Sequence, residues 1–461
     1  MNMRTSILTA VLFMSCTGVF AQSVTQKDLQ EIQASFVKDG PTKAIQNILT
    51  ANKNLKANAL NREMQGKIDH YFKYRVKVKG ITNQYSSGRC WMFTSMNVLR
   101  PDVMKKYNLN DFDFSHNYTY FWDIFEKSNL FLENAIRTAD KDMQDREVTT
   151  YFQSPVGDGG VWNLYYNVAQ KYGVVPQEVM PETANSNATS QMLSLLNEKL
   201  RLGGYTLREM AAQGKKINEL RKEKKEILKD VYRILALCLG EPPHEFTWRY
   251  KDKDGNIQEL ANYTPQRFYQ EITPADYSPD NYIMIMNDPT REYYKVYEIQ
   301  NYRNTEEGIN WVYLNLPNED IKKAALASIK ANEPMYASCD VGKQFQGDAG
   351  IMDPSLYDYE SLLGVKLKMD KKARILTRQS GSSHAMTLIG CDTDINDKPV
   401  KWEFENSWGS SSGHNGYLTF TDDWFNEYMF RLVIHKKYLD DKALQSLKQK
   451  PVQLPVWDYM F

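Results

Sequence analysis

The chain has 461 residues, 42% of them hydrophobic and 25% charged, an ordinary soluble composition in a chain too long for one small core, so at least two lobes are expected. Lys plus Arg and Asp plus Glu each number 57, which leaves zero net charge with histidine neutral. That balance excludes a global electrostatic pull toward nucleic acid or an anionic membrane surface.

Arg4 precedes an apolar run over residues 7–20 that closes with Val19-Phe20-Ala21 before Gln22. A basic start, a short apolar core and small or apolar residues where a signal peptidase reads predict a cleaved export signal over residues 1–21, and hence a periplasmic or secreted protein. The run is short for a bilayer span, so no stable membrane insertion is expected after its removal. Lipid anchoring through Cys16 is the competing reading, with Phe13-Met14-Ser15 a poor lead-in for it.

Residues 25–72 pattern as helices broken at Gly40-Pro41. A polar, turn-rich stretch from Thr82 to Gly88 hands over at Cys90 to an apolar helix carrying Trp91, Phe93, Met96, Val98 and Leu99, which Pro101 is expected to interrupt. Helical patterning returns over 191–239 with an expected split at Gly203-Gly204, and the charge run from Lys222 to Glu226 reads as a solvated face. Short β-like segments follow at 282–286, 311–314, 335–339, 385–390 and 416–420, bounded by turn residues. The fold class is therefore α+β, with a helix-rich lobe over roughly 22–260, a sheet-rich lobe over roughly 261–448 and a C-terminal arm over 449–461.

Five cysteines occur: Cys16, Cys90, Cys238, Cys339 and Cys391. Cleavage removes Cys16 and a reactive Cys90 stays reduced, so an odd number remains in apolar settings, which points to buried free thiols. No CxxC, HExxH or EF-hand pattern is present, and no metal or other cofactor is expected.

Cys90 stands where a loop becomes a helix, and a helix N-terminus favours a thiolate, the form that attacks a carbonyl. Gln84, six residues earlier, is near enough to join the Cys90 N–H as an oxyanion donor. His384 follows Gly381-Ser382-Ser383 at the start of a β-like segment and is the candidate base. His116, in a polar and aromatic stretch, is the histidine that inspection leaves open. Asn406, in Glu405-Asn406-Ser407-Trp408-Gly409, can accept from an imidazole and orient it, although an asparagine there also suits a turn.

The segment Asn83-Gln84-Tyr85-Ser86-Ser87-Gly88-Arg89-Cys90-Trp91 closely resembles the active-site segment of the bleomycin hydrolase/aminopeptidase C family, a branch of the papain superfamily. Ser383-His384-Ala385-Met386-Thr387 and the Asn406 segment look like its other two signatures. Asp158-Gly159-Gly160, Met180-Pro181-Glu182-Thr183 and Leu239-Gly240-Glu241-Pro242-Pro243 are among further similar segments, and together they span roughly residues 60 to 461. Ser87 stands where the papain signature has a cysteine, and His384 lies far beyond the roughly 130–150 residues that separate the pair in papain-like enzymes.

The resemblance implies a two-lobed papain-like fold with helical insertions, Cys90 as nucleophile, His384 as base, Asn406 as its orienting partner and Gln84 as oxyanion donor. It also implies Gly159 and Gly160 as bare backbone facing the peptide substrate, and Trp408 as a shield over the His384–Asn406 bond. A homohexameric cage is implied as well, with a C-terminal arm in the cleft whose last residue, here Phe461, meets the free amine of the substrate. Two features depart from the family: its members are mostly intracellular, and this tail stops soon after Trp457-Asp458. The expected activity is that of a cysteine aminopeptidase. Its alternatives are a dipeptidyl or endo-acting peptidase and, from another class, an inactive oligomeric binding scaffold. No nucleic-acid partner is expected.

Overall fold

The computed structural model describes residues 23–64 and 66–459, so the expected leader with Cys16 and Ala21, and the terminal Phe461, lie outside the described residues. Two N-terminal helices, α1 (Gln26–Ala34) and α2 (Gly40–Ala51), bury no side chain. Gly40-Pro41 opens α2 instead of breaking a helix. Proline's missing N–H is harmless in a first turn, and Asp39 caps that turn by accepting from the Thr42 N–H at 2.8 Å.

A helical layer follows, built from α3 (Cys90–Lys106), α4 (His116–Arg137), α5 (Trp162–Tyr172), α6 (Ser190–Ala212) and α7 (Ile217–Leu239). Contrary to the sequence expectation, α3 runs past Pro101. One helix hydrogen bond is forfeited there, but burial of Trp91, Met92, Met96, Leu99 and Val103 holds the helix across the gap. Gly203-Gly204 does not split α6 either; the chain turns at Gly214, whose φ is +81°. The paired glycines serve close approach. A Cβ on Gly203 would stand 3.0 Å from Ile227 of α7, and one on Gly204 would stand 2.9 Å from Phe131 of α4.

The second layer is a mixed sheet of twelve strands among the described residues. In chain order these are β1 (Tyr74–Arg75), β2 (Tyr282–Met286), β3 (Lys295–Ile299), β4 (Trp311–Asn315), β5 (Met335–Cys339), β6 (Phe345–Gln346), β7 (Ile351–Met352), β8 (His384–Thr393), β9 (Pro399–Glu405), β10 (Tyr417–Thr421), β11 (Met429–His435) and β12 (Val452–Leu454). They lie side by side in the order β12-β3-β4-β2-β11-β5-β8-β9-β10-β7-β6, with β1 antiparallel on β8. The central strand β8 is buried without alternation from His384 through Cys391, because α3 covers one face and α8 (Asn318–Lys330) covers the other.

The chain crosses between the layers in both directions. From its first fifth, β1 joins the sheet, and the Val76 N–H donates to Ile389 O at 2.8 Å. The helix at Pro265–Ile272 returns to the helical layer, where Phe268 packs edge-on against Phe246 and Pro265 O accepts from the Val174 N–H. At the sheet edge, β12 runs parallel to β3 and delivers residues 455–459 toward the groove between the layers. Cys238 is half-buried and Cys339 and Cys391 are buried, all as free thiols.

Candidate active site

Cys90 is the first residue of α3 and is half-buried. Arg89 before it makes no side-chain cap bond, and the N–H groups of Cys90 and Trp91 are left facing the thiol. The loop leading into the helix is pinned from several sides. Gln84 N–H donates to Ser407 O at 2.8 Å, Ser86 N–H to Asn187 O at 3.0 Å, and Gly88 N–H to the Asp158 carboxylate at 2.6 Å. The fully buried Arg89 guanidinium donates twice to Glu182, at 3.1 and 2.9 Å, and its Nε donates to Ser87 Oγ at 3.0 Å.

His384 opens β8 opposite Cys339 of β5, and α3 packs directly on β8. Its Nε2 lies 2.8 Å from Asn406 Oδ1. Asn406 is fixed just past the end of β9, where its N–H donates to Gly416 O at 3.1 Å. The Trp408 ring lies over the imidazole with centroids 4.7 Å apart and planes 28° apart. With Nε2 engaged by asparagine, Nδ1 is the ring nitrogen left for the thiol.

Burial pushes the Cys90 thiol up to about 11; N–H groups of Ala385, Trp91 and Cys90 oppose the rise and Asp158 adds to it. Burial holds the His384 imidazole down to about 4 against the opposing pull of Asn406. The helix N-terminus does not by itself make a thiolate here, since burial outweighs it. Each charge is unfavourable alone. A transfer of the thiol proton to the imidazole would create both charges together, each stabilising the other without changing the net charge.

Gln84 is held at both ends of its amide. Ser407 Oγ donates to Oε1 at 2.7 Å, and Nε2 donates to Ser87 O at 2.6 Å. An amide nitrogen has two hydrogens, so one is left beyond the bond to Ser87 O.

A cleft of about 840 Å³ between the layers is lined by Gly157, Gly159, Ser380 and Gly381 together with Trp457 and Tyr459 of the tail. Gly159 faces open space, whereas a Cβ on Gly160 would stand 2.6 Å from the Trp91 ring. His116 is not brought to the site. It is buried in the helical layer, where its ring stacks on Phe93 at 3.5 Å.

Sequence reasoning assigned no role to the Asp158 carboxylate, to the Arg89–Glu182 pair or to Ser407. All three stand inside segments whose likeness to the family was noted, and that was the available signal. The contacts that tie them to the site, Asp158 to Gly88, Arg89 to Glu182 and Ser407 to Gln84, span 70 or more positions, and only the fold supplies them.

A sequence model of the Peptidase C1-like family matches residues 23–461. The chain is 39% identical over 400 residues to the bleomycin hydrolase of Mus musculus, covering 85% of this chain and 88% of that one. To aminopeptidase G of Lactobacillus delbrueckii subsp. lactis it is 37% identical over 438 residues, covering 95% and 99%. A crystal structure of PepW from Lactobacillus rhamnosis HN001 superposes with a TM-score of 0.90 at 34% identity, covering 95% of this chain and 98% of that one.

Proposed function

The chain belongs to the Peptidase C1-like family and is a cysteine peptidase, and from that premise we infer that it is an aminopeptidase cleaving peptides near their free N-termini. Its relatives carry the names aminopeptidase G, C and E. The observation that carries the exopeptidase reading is the docked tail: Val456, Trp457, Asp458 and Tyr459 wall the same cleft as Gly159 and Gly381. A cleft narrowed by the chain's own terminus favours the end of a peptide over its middle.

In the mechanism we propose, the Cys90 thiol gives its proton to His384 Nδ1 and the thiolate attacks the scissile carbonyl carbon. The oxygen becomes an oxyanion, met by the Cys90 N–H and by the free N–H of the Gln84 amide. Asn406 holds the imidazole in plane, and Trp408 keeps water off their bond. As the C–N bond breaks, the imidazolium protonates the departing amine, leaving a Cys90 thioester. His384 then takes a proton from water as hydroxide adds to the thioester carbon; the C–S bond breaks, His384 returns that proton to the Cys90 sulfur, and the acid product leaves, losing its own proton to solvent. Gly159 and Gly160 offer main chain to the substrate, and the Phe461 carboxylate pairs with its ammonium.

A panel of peptides with free and blocked amines tests this reading; equal turnover of both would remove the exopeptidase assignment. Dipeptide release is the second reading, since the tail residues that wall the cleft narrow it without closing it. The mature unit we propose is residues 22–461, exported after cleavage behind Ala21 and assembled as a homohexamer. The family match itself begins at residue 23, and no helix among the described residues is long and apolar enough to cross a membrane.

A further inference from the structure

The segment from Gly157 to Gly160 has three successive carbonyls turned into the protein, and its Gly157 and Gly159 line the cleft, with the half-buried Gly160 next in the chain. Lys127 Nζ, on α4, donates to Gly157 O at 2.9 Å and to Gly159 O at 2.8 Å. Between those two, Trp91 Nε1 donates to Asp158 O at 2.7 Å. The third ammonium proton goes to Asp123 Oδ2, one helical turn back, at 2.7 Å. Asp123 is itself buried and fixed, since Asn304 Nδ2 donates to its other oxygen at 2.9 Å. An ammonium has three donors, and all three are used. The same nitrogen stands 5.2 Å from the centre of the Trp91 ring, over the residue that follows Cys90.

Gly160 is the exception along this edge. Among the described residues neither its N–H nor its C=O has a hydrogen-bond partner. Its Cα rests against Trp91 too closely for any side chain. An extended peptide chain needs one donor and one acceptor, facing the same way, to lie along a wall of this kind.

We propose that Lys127 is a positioning residue for substrate: by drawing the Gly157 and Gly159 carbonyls inward it presents the Gly160 N–H and C=O to the main chain of the peptide on the amino side of the cleaved bond. This rests on the reading of the cleft as a peptide site. The adjacent glycines explain why a clamp is required. Gly159 and Gly160 have no side chains to anchor them, and an unclamped edge has to be ordered each time a substrate binds. That cost falls on binding more than on the chemical step, because Lys127 touches neither the Cys90 thiol nor His384.

The test uses the full mature chain and Lys127→Met, which keeps the aliphatic stem over Trp91 and removes all three donors. Two rates of thiol inactivation are compared, one with iodoacetamide, which needs only a reactive Cys90, and one with glycyl-phenylalanyl chloromethyl ketone, which also has to lie along the cleft. The peptidyl rate is expected to fall about 10-fold while the iodoacetamide rate stays within about two-fold, and in hydrolysis KM should rise with kcat nearly unchanged. Equal changes in the two rates, or none, overturn the proposal. Should Lys127→Met fail to fold, Lys127→Gln is read by the same ratio with a smaller expected drop, and an unchanged ratio there overturns it equally. Failure of the aminopeptidase reading shows separately, as equal turnover of free and blocked amines by the unsubstituted protein, and leaves the inactivation ratio readable.

Discussion

Ser407 Oγ donates to Gln84 Oε1 at 2.7 Å, and the Gln84 N–H returns a bond to Ser407 O at 2.8 Å. The loop that carries the amide is thereby clamped to the turn that follows Asn406. The hydroxyl also fixes which way the amide faces, since an oxygen accepting from Ser407 leaves the nitrogen to donate to Ser87 O at 2.6 Å, in the loop that leads into Cys90. Gln84→Ala is expected to lower kcat roughly 10²–10³-fold, as loss of one oxyanion donor does. Ser407→Ala should cost about 10-fold in kcat with KM little changed, because the donor survives and only its aim is loosened. Wild-type kcat in Ser407→Ala would show that the hydroxyl does not set the amide.

Cys90→Ala should abolish hydrolysis without loss of folding, measured by turnover and circular dichroism. Asn406→Ala should slow the reaction less than His384→Ala, since the imidazole remains and only its alignment suffers. The stacked Trp408 ring supports the imidazole from one face even without the asparagine. Equal losses in two folded variants would mean that the roles are misassigned.

The pH profile follows from burial. The thiol sits up at about 11 and the imidazole down at about 4, so between those limits the pair holds one proton whichever atom carries it. Below the window a second proton fills the base; above it the shared proton is lost and no acid remains for the leaving amine. Plotted against pH, kcat/KM should be a broad bell, with its acid limb below the ordinary histidine value and its alkaline limb above the ordinary cysteine value. Limbs close together near neutrality would contradict this account.

The local part of the site was legible in the sequence because it depends on near neighbours. Cys90 at a loop-to-helix junction and His384 at a strand start are features of a few residues, and the structure has both. Pro101 and Gly203-Gly204 misled for one reason: each is a helix breaker by propensity, and tertiary contact overrides propensity once the helix is buried. The joining of β1 to β8 was not visible, since a two-residue strand carries no pattern of its own. Asp158 holding Gly88 was hidden likewise, as nothing near residue 158 announces a partner near residue 88.

The homohexamer is checked by light scattering of the mature protein at micromolar concentration, where a mass about six times the monomer's is expected. The N-terminal helices and the loop between them leave Leu29, Ile32, Phe36 and Ile48 exposed, so apolar surface is available for contact between copies. A strictly monomeric mass would remove the cage.

The tail is held by Arg291. Its guanidinium pairs with Asp458 and stands 4.8 Å from the Tyr459 ring, whose hydroxyl meets Thr290 Oγ1. Arg146 stacks on Trp457 at 4.9 Å, and β12 ties the arm's base to β3. Prolines at 451 and 455 restrict the residues before them to extended backbone, so the arm reaches the cleft instead of coiling. Deleting residues 459–461 should raise cleavage of amine-blocked peptides and lower the preference for free amines, by on the order of 10-fold, the scale of one lost charge pair in a partly buried site. Arg291→Ala should move the same ratio in the same direction but less, because the arm loses its anchor while keeping its carboxylate. The measurement is kcat/KM for matched free and acetylated peptides in all three proteins. If neither change moves the ratio, the tail does not select the amine, and the preference has to come from the cleft wall around Gly159 and Gly381.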